Sequence, residues 1–332
     1  MQSHMSGRFF GVAVIALLLG AVAARAQDTE LQFYTSVPRE LSAPLAERFT
    51  AMNSGIKVNL FEAGAETVLG KMELEIRSAG RIQADVIWLE EPAAVKQFAD
   101  DGRLEPYASS ELENVLPIFR DPQGRFVANQ VAFVFIMYNA KKMSSDKAPK
   151  SWKDLTDSRF AKQLIFANPR VSGTGATVAS AMVQAYGLVY WESIAKLKPI
   201  LVSGSEGMIS TIVQGERLAG PIHNYTIGEL LEKKQPIAYV VPTEGGIALP
   251  AYVAIARGTP KLEAAKKFYD FMISKEAAGQ LVKDGMFSTR TDVPGPKGWP
   301  SIGEVKTMPF DWTQHARAKA EIKAKFADLM EK

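Results

Sequence analysis

Leu31-Gln32-Phe33-Tyr34-Thr35-Ser36-Val37-Pro38 opens as an apolar run and breaks at a Ser-Val-Pro turn, after which Leu41, Leu45, Phe49 and Met52 recur at helical spacing. Residues 57–61 then alternate polar and apolar as a strand, and Val68, Leu69, Met72 and Ile76 mark a second helix. Residues 84–88 form a short apolar strand, and a third helix starts near Pro92. Strands and helices alternating through short connections predict an α/β fold with a parallel sheet, because right-handed crossovers are almost the only way to join such strands. Ligands of such sheets gather at the carboxyl ends of the strands. Here those ends are Thr35-Ser36, Glu62-Ala63-Gly64 and Glu90-Glu91.

Further along, residues 131–138 are continuously apolar without helical punctuation and are followed by a polar stretch containing Pro149, the pattern of a strand crossing between two lobes. A second alternation follows: a strand at 164–167, a helix at about 177–186, a helix carrying Met208, Ile209, Ile212 and Val213, and a strand at 238–241. After Thr243-Glu244-Gly245-Gly246 the apolar run 251–255 returns to the first lobe, and Leu262, Ala265, Tyr269 and Met272 stripe a helix. The chain therefore reads as a first lobe of residues 27–134 and 247–332 and a second of 135–246. Two crossings make a two-stranded hinge on which the lobes close around a ligand.

The first 26 residues read as an export signal: Arg8, an apolar run over residues 9–22, and the small-residue cleavage site Ala24-Arg25-Ala26. The apolar run is about 14 residues, short of the ~20 that a membrane-spanning helix needs. Cleavage near Ala26 takes 26 of 332 residues and leaves 306, and of the 39 basic residues Arg8 and Arg25 leave with it, so 37 face 36 acidic ones. That near balance, without a basic block interleaved with aromatics, implies neither nucleic acid nor a membrane surface as partner. The lysine-rich residues 317–325 read as the solvated face of a terminal helix whose apolar stripe is Ile322, Phe326, Leu329 and Met330. The sequence has no cysteine, which excludes disulfides, thiolate metal sites, iron–sulfur clusters and cysteine nucleophiles. After export His223 and His315 are the remaining imidazoles.

Ser172-Gly173-Thr174-Gly175 is the sharpest local signal, set between a strand and an apolar-periodic helix. Small residues let backbone amides approach a ligand, and a helix start offers unpaired N–H groups with a positive dipole end, which suits an anion. The same residues also serve a capped helix start that binds nothing. Glu90 at another strand end, facing this loop, would make a pocket for a zwitterion or for a metal ion bridged to an anion. Glu62, Glu91 and Glu244 are further strand-end carboxylates. His223-Asn224-Tyr225-Thr226 forms a third strand-end loop, in which Tyr225 can stack on or ligate a bound group. Trp88 reads as core.

The export signal, Phe33-Tyr34-Thr35-Ser36, Ala84-Asp85-Val86-Ile87-Trp88, Ser172-Gly173-Thr174-Gly175, Pro242-Thr243-Glu244-Gly245 and Ala264-Ala265-Lys266-Lys267-Phe268 together resemble a periplasmic solute-binding protein of an ABC importer. The branch resembled contains the ferric-iron, phosphonate and sugar-phosphate binding proteins. The resemblance spans the chain after residue 26 and implies a type II periplasmic-binding-protein fold, binding in an interlobe cleft and delivery to a permease at the inner membrane; the expectation is a monomer without cofactor, free in the periplasm because no lipid-attachment cysteine exists. The resemblance also implies ferric ligands at Glu90 and Tyr225. The second tyrosine of the ferric pair is replaced here by Thr226, and Pro38 occupies the position of its histidine. Trivalent iron needs several hard donors, so two would have to be completed by other ligands or an exogenous anion. The reading therefore favours a small phosphonate or organophosphate held by Thr35, Ser36, Glu90, Ser172, Gly173, Thr174, Gly175, Asn224 and Tyr225. An exported hydrolase built on Ser172 with His223 or His315 is the remote alternative; the Gly-x-Ser-x-Gly elbow is missing.

Overall fold

The computed structural model describes residues 29–330, so the export signal lies outside the described residues. The opening folds as β1 (Thr29–Thr35), α1 (Arg39–Met52), β2 (Ile56–Glu62), α2 (Ala65–Ala79), β3 (Val86–Leu89) and α3 (Pro92–Asp100). β1 lies between β2 and β3 and is parallel to both, with Thr35 opposite Glu62 on one side and Trp88 on the other. That register brings all three carboxyl ends to one rim. Side chains alternate across the pleat. Leu31 and Phe33 are buried on the face covered by α1, and Tyr34 on the face covered by α2.

β4 (Val127–Asn139) is buried along its whole length of 13 residues and serves two groups of strands. In chain order the elements after it are β5 (Ile165–Ala167), α4 (Gly173–Tyr186), α5 (Val189–Lys196), β6 (Ile200–Val202), α6 (Ser205–Gln214), β7 (Ala219–His223), α7 (Asn224–Glu232), β8 (Ile237–Val240), β9 (Ile247–Ile255), α8 (Leu262–Met272), α9 (Lys275–Lys283), β10 (Phe287–Ser288) and α10 (Trp312–Met330). The first half of β4 pairs with β9 and β10, giving the order β10-β4-β9-β3-β1-β2. The second half pairs with β7 and β8. The short parallel pair β5-β6 is tied to β7 by a bridge between Leu164 and Ala219.

The sheet corrects the parallel expectation. The β1, β2 and β3 pairings and the β5-β6 pair are parallel, but β4 pairs antiparallel with β7, β8, β9 and β10, and β3 pairs antiparallel with β9. The reason is the return path: β4 and β9 cross between the two halves in opposite directions, so they pair head to tail. Two further differences matter for the site. The helix expected at 177–186 begins at Gly173, so Ser172-Gly173-Thr174-Gly175 is its cap and first turn rather than a preceding loop. The absence of a side chain at Gly175 is required, since a Cβ there would stand 2.7 Å from the Ala167 carbonyl oxygen of β5.

The terminal helix, expected with the first lobe, packs elsewhere. Ile322 and Phe326 of α10 are buried in the cluster formed by α4 and α5, with Phe326 edge-on to Trp191 at 4.7 Å. To reach them the chain crosses a third time, and Gly246 hydrogen-bonds in both directions with this segment, its N–H donating to Lys306 O and its carbonyl accepting from Met308 N. Apolar matching decides this placement, because the stripe of α10 finds a partner of the right shape on α4 and α5.

Candidate ligand-binding site

Ser36 and Glu90 follow β1 and β3 and are joined directly, the Glu90 N–H donating to Ser36 Oγ at 3.0 Å. Thr35, by contrast, is fully buried. Its hydroxyl donates to the Trp88 carbonyl at 2.7 Å and accepts from the Val37 N–H at 2.9 Å. Its polar atom is occupied in fixing the two strand ends, so Thr35 shapes the rim instead of presenting a group to the cleft. Trp88 lies in the core, as its apolar setting predicts, and donates through Nε1 to Asn129 Oδ1 at 2.8 Å.

From the other side come the starts of α4 and α7. Ser172 caps α4, its Oγ accepting from the Gly175 N–H at 3.0 Å. This satisfies one of the amides that a helix start leaves open, while the first-turn N–H groups of Gly173 and Thr174 have no partner inside the helix. Thr174 Oγ1 lies 3.2 Å from His223 Nε2, and the His223 ring stacks on Tyr225 with centroids 5.0 Å apart and planes inclined by 19°. Burial depresses His223 to a pKa of about 4, so the imidazole is neutral at neutral pH.

Glu90 acts electrostatically on Tyr225. Burial, followed by the neighbouring Glu91, pushes the Glu90 carboxyl up to about 7. Burial, followed by the charge of Glu90, pushes the Tyr225 phenol up to about 12. Ser36 and Glu90 join the ends of β1 and β3, Thr174, His223 and Tyr225 join the starts of α4 and α7, and the Glu90 charge that reaches Tyr225 links the two groups into one electrostatic chain.

The remaining sequence candidates fall outside this chain. Asn224 is fully buried with both ends of its amide engaged: Oδ1 accepts from the Phe133 N–H at 2.8 Å and Nδ2 donates to the Gly285 carbonyl at 2.7 Å. It ties β4 to the turn after α9 and corrects the expectation of a ligand contact. Glu244 accepts from Tyr186 Oη and from the Trp152 N–H at 3.2 Å. Tyr186 is the last residue of the 14-residue α4, about 20 Å from its first turn at 1.5 Å per residue. Glu62 ends β2, on the far side of β1 from Glu90. Glu91 faces α10: burial raises its pKa while Lys319 and Lys323 oppose the rise. The sequence pattern assigns these two lysines to a solvated face, and only their i, i+4 spacing hints that they act together.

Residues 83–308 match the model of the bacterial extracellular solute-binding proteins. The chain belongs to that family. This solute-binding protein superimposes on iron-bound HitA from Pseudomonas aeruginosa with a TM-score of 0.77 at 19% identity, covering 91% of this chain and 99% of HitA. It superimposes on AfuA from Actinobacillus pleuropneumoniae, with fructose-6-phosphate bound, with a TM-score of 0.74 at 23% identity, covering 91% of this chain and 99% of AfuA. The fold is the type II periplasmic-binding-protein fold. A putative 2-aminoethylphosphonate-binding periplasmic protein of Salmonella typhimurium is 26% identical over 241 residues, 68% of this solute-binding protein and 66% of the relative.

Proposed function

We propose that the protein is the periplasmic substrate-binding component of an ABC importer and that it captures a small phosphonate or organophosphate between its lobes for delivery to a membrane permease. The observation that carries this reading is the unlike character of the groups on the two sides that Tyr225 links. On one side is the first turn of α4, with N–H groups and a positive dipole end suited to a phosphonate or phosphate. On the other is Glu90, a carboxyl acted on by burial and by a second acid, with no cation beside it among the described residues. A ligand that carries an ammonium group as well as the anion supplies the missing charge. The Salmonella relative, named for a ligand of this kind, supports the assignment.

Ferric iron is the second reading, favoured by Glu90 and Tyr225 lying within electrostatic reach of each other and by the resemblance to iron-bound HitA. Carboxylate and phenolate are hard oxygen donors suited to trivalent iron, and an anion on α4 would complete the shell. A hydrolase is disfavoured by the local bonding. Ser172 Oγ caps α4, His223 pairs with Thr174, and His315 Nδ1 pairs with Ser180 Oγ at 2.7 Å, so neither imidazole meets Ser172.

Titration calorimetry of the purified protein with 2-aminoethylphosphonate, fructose 6-phosphate and ferric citrate tests the choice. Binding of a phosphorus compound is the expected result. Heat with ferric citrate alone, with a coloured phenolate complex, would replace the proposal with iron, and silence with both phosphorus compounds would remove it.

A further inference from the structure

α10 is anchored on one side of the cleft and reaches the other. Ile322 and Phe326 are buried with Trp191 of α5, His315 Nδ1 meets Ser180 Oγ of α4 at 2.7 Å, and Asp311 exchanges two hydrogen bonds with Gln184 of α4. Every one of these anchors lies on α4 or α5. The same helix presents Lys319 to the opposite rim, where Nζ lies 3.0 Å from Glu66 Oε1 in the first turn of α2. Lys319 is mostly covered, at 22% exposure, although Glu66 is open to solvent at 79%. Lys319 and Lys323 also act on Glu91, which precedes α3. Two cations carried by one half of the molecule therefore face two carboxylates on the strand-end rim of the other.

We propose that α10 is a clasp between the lobes: Lys319 is a positioning residue whose ion pair with Glu66 holds the cleft shut and sets the balance between open and closed forms before any ligand arrives. The inference rests on the reading that ligand is captured by lobe closure, and it names the contact that closure must form and opening must break. A partly exposed pair of this kind shifts an equilibrium by up to about fivefold, and the shift shrinks as salt screens the charges.

The chain has no cysteine, so Ser78→Cys on α2 and Ser210→Cys on α6, both exposed, give a unique pair of spin labels. Inter-label distances are measured by pulsed electron resonance on the ligand-free protein. The starting protein should favour the short distance. Lys319→Glu should move population to longer distance, Lys319→Gln should do so less, and adding Glu66→Lys to Lys319→Glu should recover part of the short-distance population, because Glu91 still faces the reversed charge. Circular dichroism verifies folding of each variant, and the milder Lys319→Gln carries the test if the reversal does not fold. An unchanged distance distribution in Lys319→Gln, or failure of the double reversal to recover any of the short-distance population, overturns the clasp. Because no ligand is present, either outcome is independent of whether a phosphonate proves to be the solute.

Discussion

Replacing Glu90 by Gln should make the ligand-free protein more stable while making it a poorer receptor. The carboxyl is held at about 7 against an ordinary value of 4.5, chiefly by burial. A rise of that size corresponds to about 3 kcal/mol, since each tenfold change in proton affinity is worth about 1.4 kcal/mol, and the water that still reaches Glu90 trims this to about 2 kcal/mol. The sign follows from linkage. Below pH 4.5 Glu90 is protonated in both folded and unfolded chains and carries no penalty; as pH rises through about 7 the folded state must accept a poorly solvated charge, and stability falls. Gln keeps the neutral form at every pH. Thermal unfolding should therefore give nearly equal midpoints for the two proteins near pH 4.5, and at about pH 8 a midpoint higher in Glu90→Gln by on the order of 5 °C. Affinity for 2-aminoethylphosphonate should fall about 10- to 100-fold, the worth of a hydrogen bond to a charged group, while a ligand bearing only the anion should lose nothing. The Tyr225 phenol, freed from the Glu90 charge, should also ionise at lower pH in an absorbance titration. A gain of equal size at both pH values, or no gain at all, would refute the electrostatic argument.

Thr174→Asp should leave thermal stability unchanged or slightly raised, because an acid in a first helical turn suits the dipole, yet it should cut affinity for a phosphonate more than about tenfold by charge repulsion in calorimetry; unchanged affinity would take α4 out of the site. Asn224→Ala should destabilise the fold by about 2–4 kcal/mol in urea unfolding, since the Phe133 N–H and the Gly285 carbonyl are each left without their buried partner.

The parallel portion of the fold is legible in the sequence because each strand and helix there carries its own period. Phe33 and Tyr34 announce opposite faces of β1, and Leu45 and Phe49 announce the buried stripe of α1. The antiparallel portion is less legible, because the pairing of Val127 with Val253 joins residues distant in sequence and no local pattern encodes it. At the site, Ser172 betrays itself as a helix cap by residue type, and Glu90 by its place after β3. The engagement of Thr35 and Asn224 is invisible: whether a hydroxyl or amide is free depends on backbone groups of Trp88, Phe133 and Gly285 that arrive from elsewhere. Lys319 and Lys323 escape the sequence pattern for the same reason, since a basic face looks solvated until a carboxylate-lined rim is folded against it.

Val134 lies opposite Ile247 of β9 on one edge of β4 and opposite His223 of β7 on the other. The residue that ends one pairing therefore begins the next, and it does so beside His223, which stands at the N-cap of the helix α7 that carries Tyr225. On the proposed closure this crossing is the fulcrum, and a guest held near Tyr225 works at the short arm of the lever. A small torsion in β4 at this point sweeps the outer rims through a displacement that grows in proportion to their distance from it, so a compact solute can be translated into a large change of outline that a transporter can feel.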